Sequence, residues 1–227
     1  MAEDFSQVGA LAFDHYGTLF NKQAVADLLE AEFPGKGAEA AALWFRTIKK
    51  YCWLSGMMER YLTWDDITQR ALTFTGKSLG LEIADDLYER LIEADVLLPP
   101  YPEVPAALKR LAAKFDLYVL SMGSAWMIEA SQKNAGVDQY FKGVISTEPL
   151  QLYKPGRPSY DVGVEAIARP KEEIGFVSSN SFDVIGGKNY GFPTFWVNRT
   201  GAPLDELGPR PDIVADNLDA LADALGA

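Results

Sequence analysis

The chain has 227 residues, 48% hydrophobic and 23% charged, which is enough apolar sequence to bury a core as one large domain or one domain with a sizeable insertion. Its net charge of −11, with scattered lysines and arginines, excludes the polybasic stripe that nucleic acid or an anionic membrane would require. A single cysteine and a single histidine exclude an intrachain disulfide, a cysteine-based zinc site and a His-rich metal centre.

The sequence starts without a basic segment leading into an apolar run, and no apolar stretch approaches the ~18 residues of a membrane span, so a cytoplasmic setting is expected. The first predicted strand, Ala10–Phe13, runs into Asp14, His15, Tyr16, Gly17 and Thr18. Neighbouring residues at the end of an extended strand point in opposite directions, so His15 is poorly placed to act with Asp14 in a Ser-His-Asp arrangement. About a hundred residues then pass before the next strand, far more than the dozen or so a crossover needs. That stretch reads as helices over Gln23–Glu32, Gly37–Trp53, Trp64–Thr75 and Ala84–Ala94, with its own aromatic residues, and Cys52 within it reads as a buried structural thiol. A proline-rich return, Leu97–Pro105, follows.

Downstream, strands at Leu117–Leu120, Gly143–Ile145, Gly175–Val177, Thr194–Val197 and Asp212–Val214 alternate with helices near Val104–Lys114, Ala125–Asn134, Ser159–Ala168, Asp183–Tyr190 and Leu218–Leu225. The strands are mostly continuous apolar runs, as in sheets covered on both faces, so the expected fold is α/β: a doubly wound parallel sheet with right-handed crossovers. The domain reading is a Rossmann-like core over residues 1–20 and 98–227, with a helical cap over 21–97.

Ligands of open parallel sheets bind beyond the carboxyl ends of the strands. The residues found there are Asp14, Tyr16 and Thr18 after the first strand, then Ser121 and Met122, then Lys154, then Ser178, Ser179, Asn180 and Asp183. Each has a structural alternative. Asp14 before Gly17-Thr18 suits a turn or helix cap, Thr18 and Ser121 suit backbone satisfaction, Lys154 before Pro155 suits solvent, and Asp183 suits the N-cap of the next helix. Caps do not explain why all of them fall at carboxyl ends of one sheet.

The order Asp-x-x-Gly-Thr, an apolar strand ending in Ser, Lys-Pro, and a strand ending in Ser-Ser-Asn-x-x-Asp resembles the haloacid dehalogenase superfamily. Within it, Phe13–Phe20, Phe176–Asp183, Gly191–Thr194 and Val197–Gly201 resemble the L-2-haloacid dehalogenases, and the likeness spans nearly the whole chain. Phosphatases of the superfamily carry a second aspartate two positions after the nucleophile and an acidic metal ligand later. This chain has Tyr16 and Ser179 at those positions, which leaves a Mg²⁺ site short of hard oxygen ligands.

The resemblance implies a hydrolytic dehalogenase that converts (S)-2-haloalkanoic acids to (R)-2-hydroxy acids through an Asp14 ester, with no metal or organic cofactor. It implies that Lys154 keeps Asp14 ionised, that Thr18, Ser178 and Asn180 fix the carboxylate and the attacking water, and that Asp183 anchors Lys154 and helps to activate that water. It also implies that Ser121 and nearby backbone N–H groups hold the substrate carboxylate, that Tyr160 lines the site, and that the chain forms a homodimer whose only other partner is a small 2-halo acid or related anion.

Two positions depart from the pattern. The arginine that receives halide in the family falls on Phe45, with Arg46 one residue and about 100° further round the helix, and an asparagine falls on Met122. The alternatives are weak or lost haloacid turnover, a remodelled pocket walled by Tyr16, Phe45, Trp64, Met122 and Phe182, a shifted helix that brings Arg46 in, another Asp14 hydrolase, phosphatase included, or a non-enzymatic remnant.

Overall fold

The computed structural model describes residues 5–227; the first four, which fall within the expected core segment 1–20, lie outside the described residues. Six parallel strands form one sheet in the order β3-β2-β1-β4-β5-β6, with β1 at Ala10–Phe13, β2 at Asp116–Ser121, β3 at Phe141–Ser146, β4 at Ile174–Ser178, β5 at Thr194–Val197 and β6 at Ile213–Ala215. Every residue of β1 and β4 is buried, while the edge strands β3 and β6 are partly exposed. That is why the central strands read as unbroken apolar runs.

Alternation along β1 sorts the core into two layers. Leu11 and Phe13 face one side with residues of α5 (Val104–Ala112), α6 (Ala125–Asn134) and α9 (Leu218–Ala224). Ala10 and Ala12 face the other with Tyr160 and Ile167 of α7 (Arg157–Ile167), against which α8 (Ser181–Tyr190) packs. The expected doubly wound architecture is the one found. The limits of β1, β5, α6 and the helix Gln23–Glu32 are those of the sequence reading, and the other strands and helices differ from it by one to four residues. The strands gain polar ends such as Asp116 and Ser121 that complete ladder pairs, because backbone pairing does not stop where the apolar run stops.

Between β1 and β2 lie α1 (Gln23–Glu32), α2 (Gly37–Met57), α3 (Trp64–Leu79) and α4 (Leu87–Val96). In α3 the buried positions Trp64, Ile67, Thr68, Ala71, Leu72, Thr75 and Gly76 follow the 3.6 period, Thr63 caps its first turn by accepting the Asp66 N–H (3.1 Å), and Gly80 ends it at φ +63°. Trp44 on α2 donates to the Thr68 carbonyl (2.9 Å) and ties the two long helices together.

The outgoing and returning connections run side by side. The Asn21 N–H donates to the Pro99 carbonyl (3.0 Å), the Tyr101 N–H donates to the Leu19 carbonyl (3.0 Å), and Phe20 bridges Pro100. The insertion also touches the core through Trp53, whose indole donates to the Lys154 carbonyl (3.1 Å), and through Tyr61 to the Glu148 carbonyl (3.1 Å). No helix among the described residues is long and apolar enough to cross a membrane.

Candidate active site

Asp14 follows the central strand, its backbone N–H still bonded to the Val177 carbonyl (2.8 Å), so its carboxylate leaves the sheet where the strand order reverses between β1 and β4. The chain then folds back on itself at Gly17, which takes φ +83°, a conformation that costs any larger residue strain. The turn brings the Thr18 hydroxyl back to Asp14 Oδ2 (3.1 Å), and the same oxygen accepts from Asn180 Nδ2 (3.0 Å). The other oxygen, Oδ1, accepts from Lys154 Nζ (3.0 Å).

Lys154 is fully buried, against the solvent-facing alternative. Its three N–H bonds go to Asp14, to Asp183 Oδ2 (2.7 Å) and to the Leu120 carbonyl at the end of β2 (3.0 Å), which exhausts its donors. Burial alone would push its pKa down, but Asp14 and Asp183 more than reverse this, and it lies above the ordinary lysine value. Asp183 is pushed up to about 6, first by burial, with Lys154 pulling against it and Asp14 adding to the rise. It sits in the first turn of α8 rather than at its N-cap, which is Asn180.

Several expected site residues line one cavity of about 180 Å³ with Asp14: Tyr16, Phe45, Trp64, Ser121, Met122, Asn180 and Phe182. That volume suits a small acid rather than a nucleotide or a drug-sized ligand. Phe45 and Met122 are both on the wall, so apolar groups do stand at the two altered positions.

Arg46, Tyr160, Asp183 and Ser178 lie off that wall. Arg46 is exposed and off the wall, because one residue along α2 turns it away from Phe45. Tyr160 is fully buried behind the site, its hydroxyl donating to Asp183 Oδ1 (3.0 Å), so it supports an acid rather than lining the cavity. Asp183 is likewise off the wall, behind Lys154, which it anchors as expected. The Ser178 hydroxyl accepts the Asn180 N–H (3.1 Å) and does not reach Asp14; Ser179 meets the Thr18 hydroxyl twice, its N–H donating at 2.8 Å and its own hydroxyl lying 3.1 Å away.

The wall also carries residues that sequence reasoning passed over, chiefly Lys22, Ile48, Lys49 and Gly123. Ile48 and Lys49 stand three and four places after Phe45 on one helix, a spacing that marks a shared face. Lys22, in the loop after β1, gives no such signal. Tyr16 packs so closely on Gly123 that a Cβ there would meet its ring at 2.8 Å. His15 is fully buried, with Nε2 at 2.8 Å from the Ser131 hydroxyl, and burial pushes its pKa down to about 3. Cys52 is buried and its thiol is pushed up by burial, as befits a structural residue. Among the described residues no cluster of three or more His, Cys, Asp or Glu side chains is placed to hold a metal ion.

A carboxylate at the switch point of a doubly wound sheet, fixed by a buried lysine beside a helical insertion, places the chain in the α/β class with a Rossmann-like core. A family model described as haloacid dehalogenase-like hydrolase matches residues 8–191. The chain is 37% identical over 217 residues to an (S)-2-haloacid dehalogenase of Pseudomonas sp. (strain YL), covering 95% of this chain and 94% of the relative. It is 38% identical over 216 residues to haloacetate dehalogenase H-2 of Moraxella sp. (strain B), covering 95% and 96%. Among solved structures, an L-2-haloacid dehalogenase superposes with a TM-score of 0.94 at 32% identity, covering 97% of this chain and 99% of that one. The L-2-haloacid dehalogenase of Xanthobacter autotrophicus with chloropropionic acid covalently bound gives 0.89 at 33% identity, with the same coverage. The chain therefore belongs to the haloacid dehalogenase-like hydrolases.

Proposed function

We propose that the chain is a hydrolytic dehalogenase that converts (S)-2-haloalkanoic acids to (R)-2-hydroxy acids through an ester on Asp14. The observation that carries this reading is the setting of Asp14. Its carboxylate opens into a small, mostly apolar cavity, held by Lys154 on one oxygen and by Thr18 and Asn180 on the other. A carboxylate so held is buried and fixed in direction, as a nucleophile toward carbon should be. The names of the relatives, and the covalently bound chloropropionic acid in one of them, support the same reading.

An Asp14 oxygen attacks C2, the carbon–halogen bond breaks with both electrons on the halogen, and the configuration inverts. Water then adds to the Asp14 carboxyl carbon, and the hydroxy acid departs with the original aspartate oxygen. Ser121 and the Gly123 N–H, which are bonded to each other at 3.3 Å, are the groups on the wall suited to the substrate carboxylate. Asp183 holds Lys154 against Asp14; the water gives one proton to the departing hydroxyl oxygen and releases the other to solvent. Helices α1 to α4, within residues 21–97, act as a cap whose aromatic side chains exclude water, over a core made of 1–20 and 98–227. Phosphoryl transfer is the weaker reading, because Tyr16 and Ser179 stand where it needs a proton donor and a metal ligand.

The test is one turnover in heavy-oxygen water with enzyme in excess over 2-chloropropanoate. Label is expected in Asp14 and not in the product, and Asp14→Asn should release no halide. Label appearing directly in lactate would show that water, not Asp14, attacks carbon.

A further inference from the structure

Forming the ester moves a full negative charge. Asp14 gives it up, and the departing halide carries it away into the cavity. Such charge needs a preorganised positive partner where it develops. Lys154 cannot serve, since its three N–H bonds are already spent on Asp14, Asp183 and Leu120. Arg46 is exposed and off the wall.

Two ammonium groups remain on the cavity wall, Lys22 and Lys49, both partly buried. Lys22 Nζ lies 4.9 Å from the centre of the Tyr16 ring and 4.5 Å from that of Phe45, so it sits against the two rings that frame the apolar wall. Lys49 Nζ is 5.8 Å from the centre of the Phe182 ring. Among the described residues neither ammonium makes a hydrogen bond or an ion pair, and the aromatic faces are their contacts. Two ammonium groups without a hydrogen-bonded partner beside a mostly apolar cavity leave donors free for an anion. Burial pushes both pKa values down, and Lys22 adds to the fall at Lys49, whereas the nearby charges of Asp95 and Asp14 hold Lys22 back up.

We propose that Lys22 and Lys49 form a two-cation anion site in the cavity wall, and that Lys22 receives the leaving halide. The identity of the anion rests on the dehalogenase reading above; the existence of the site does not. As the bond from C2 to the halogen breaks, its electron pair departs on the halide and is met by Lys22, while the ester forms on Asp14. Lys49, one turn along α2 from Phe45, strengthens the field and draws the anionic substrate in. The charge enters the cavity from the loop after β1, with an apolar ring at position 45.

The experiment reads anion binding apart from turnover. Chlorine-35 NMR line broadening of sodium chloride is measured with the intact protein, its Lys22→Met, Lys22→Arg and Lys49→Met variants, and Lys50→Met as an exposed control on the same helix. Halide release from 2-bromopropanoate is measured in parallel. The wild type should broaden chloride saturably. Lys22→Met should weaken that binding and lower kcat by between about tenfold and a hundredfold, the worth of one charge-assisted hydrogen bond. Lys49→Met should chiefly raise KM, Lys22→Arg should keep saturable chloride broadening, and Lys50→Met should behave as the wild type. Adding Phe45→Arg to Lys22→Met should restore chloride broadening, since a guanidinium there occupies the space beside the lost ammonium. Chloride broadening that is absent from the wild type, or unchanged in Lys22→Met, overturns the proposal. Broadening that depends on Lys22 in a protein that turns over no 2-halo acid supports the anion site and overturns the dehalogenase reading instead.

Discussion

Two carboxylates share one ammonium in the buried cluster of Asp14, Lys154 and Asp183, so the group carries one uncompensated negative charge where water is scarce. Burial acts most on Asp183, which is pushed up to about 6. As pH falls below that value Asp183 takes a proton, its hold on Lys154 weakens, and Lys154 turns fully to Asp14. We expect kcat/KM to fall about tenfold per pH unit below about 6. Asp183→Asn should lose that acid limb and run about a hundredfold slower at pH 7. An acid limb that persists unchanged in the variant would assign it to another group.

Asp14, Thr18 and Lys154 were legible in the sequence because each follows a strand or precedes a strand-end loop, and strand ends converge. Lys22 was not, because a lysine in a loop looks the same in solvent as against Tyr16. Tyr160 shows a further limit. Its position in the motif identified it, but only packing could say that it stands behind Asp183.

Helix α8 shows how closely an element can be coupled to the charges it carries. It brings Asp183 in its first turn and Gly186 about one turn later, and Tyr160 of α7 packs against the gap left by the glycine. A Cβ at Gly186 would lie 2.5 Å from the Tyr160 hydroxyl and 2.4 Å from Pro155. Gly186→Ala is therefore expected to destabilise the protein by about 1–3 kcal/mol through overpacking. It should also reduce turnover at temperatures where the protein is folded, since Tyr160 must leave Asp183. Thermal melts with activity measured well below the transition separate the two effects, and a variant with wild-type activity would show that the contact is dispensable. Element order was readable because apolar runs and 3.6 periods differ in length and spacing. Element ends were not, since α2 runs on past Trp53 to Met57 through residues that cap nothing and bury little. Phe45, Ile48 and Lys49 were readable as one face once Phe45 was placed.

For the molecule as a whole, the single histidine governs part of the response to acid. The Ser131 hydroxyl donates to the Ile128 carbonyl (2.9 Å), so it accepts from His15 Nε2–H, and the ring is neutral with its other nitrogen unpartnered among the described residues. Its folded pKa of about 3 lies below the unfolded 6.5. The unfolded chain thus binds the extra proton between those values, and His15 takes stability away as pH falls through that window, by up to about 1.4 kcal/mol per pH unit. Asp183 works the other way. Its folded value of about 6 lies above 3.8, so its contribution improves as pH falls from 6 toward 4. Denaturant melts of His15→Leu against wild type across pH 4 to 7 should show the variant gaining relative stability at each step downward. A constant difference would mean that His15 is not held neutral by the fold.

The two hydrogen-bonded connections at Asn21–Pro99 and Leu19–Tyr101 bring the ends of the helical excursion together at its base. The cost of closing a loop grows only by about 0.6 kcal/mol for each doubling of its length, so what hangs from a closed base can lengthen, shorten or change sequence at little expense to the sheet below. Phe45, Lys49 and Trp64 belong to that excursion; Asp14, Lys154 and Asp183 do not. The wall positions 45, 49 and 64 can therefore change with little cost to the sheet that holds Asp14, Lys154 and Asp183 in place. An exchange such as arginine for phenylalanine at position 45 is the kind of change this division permits.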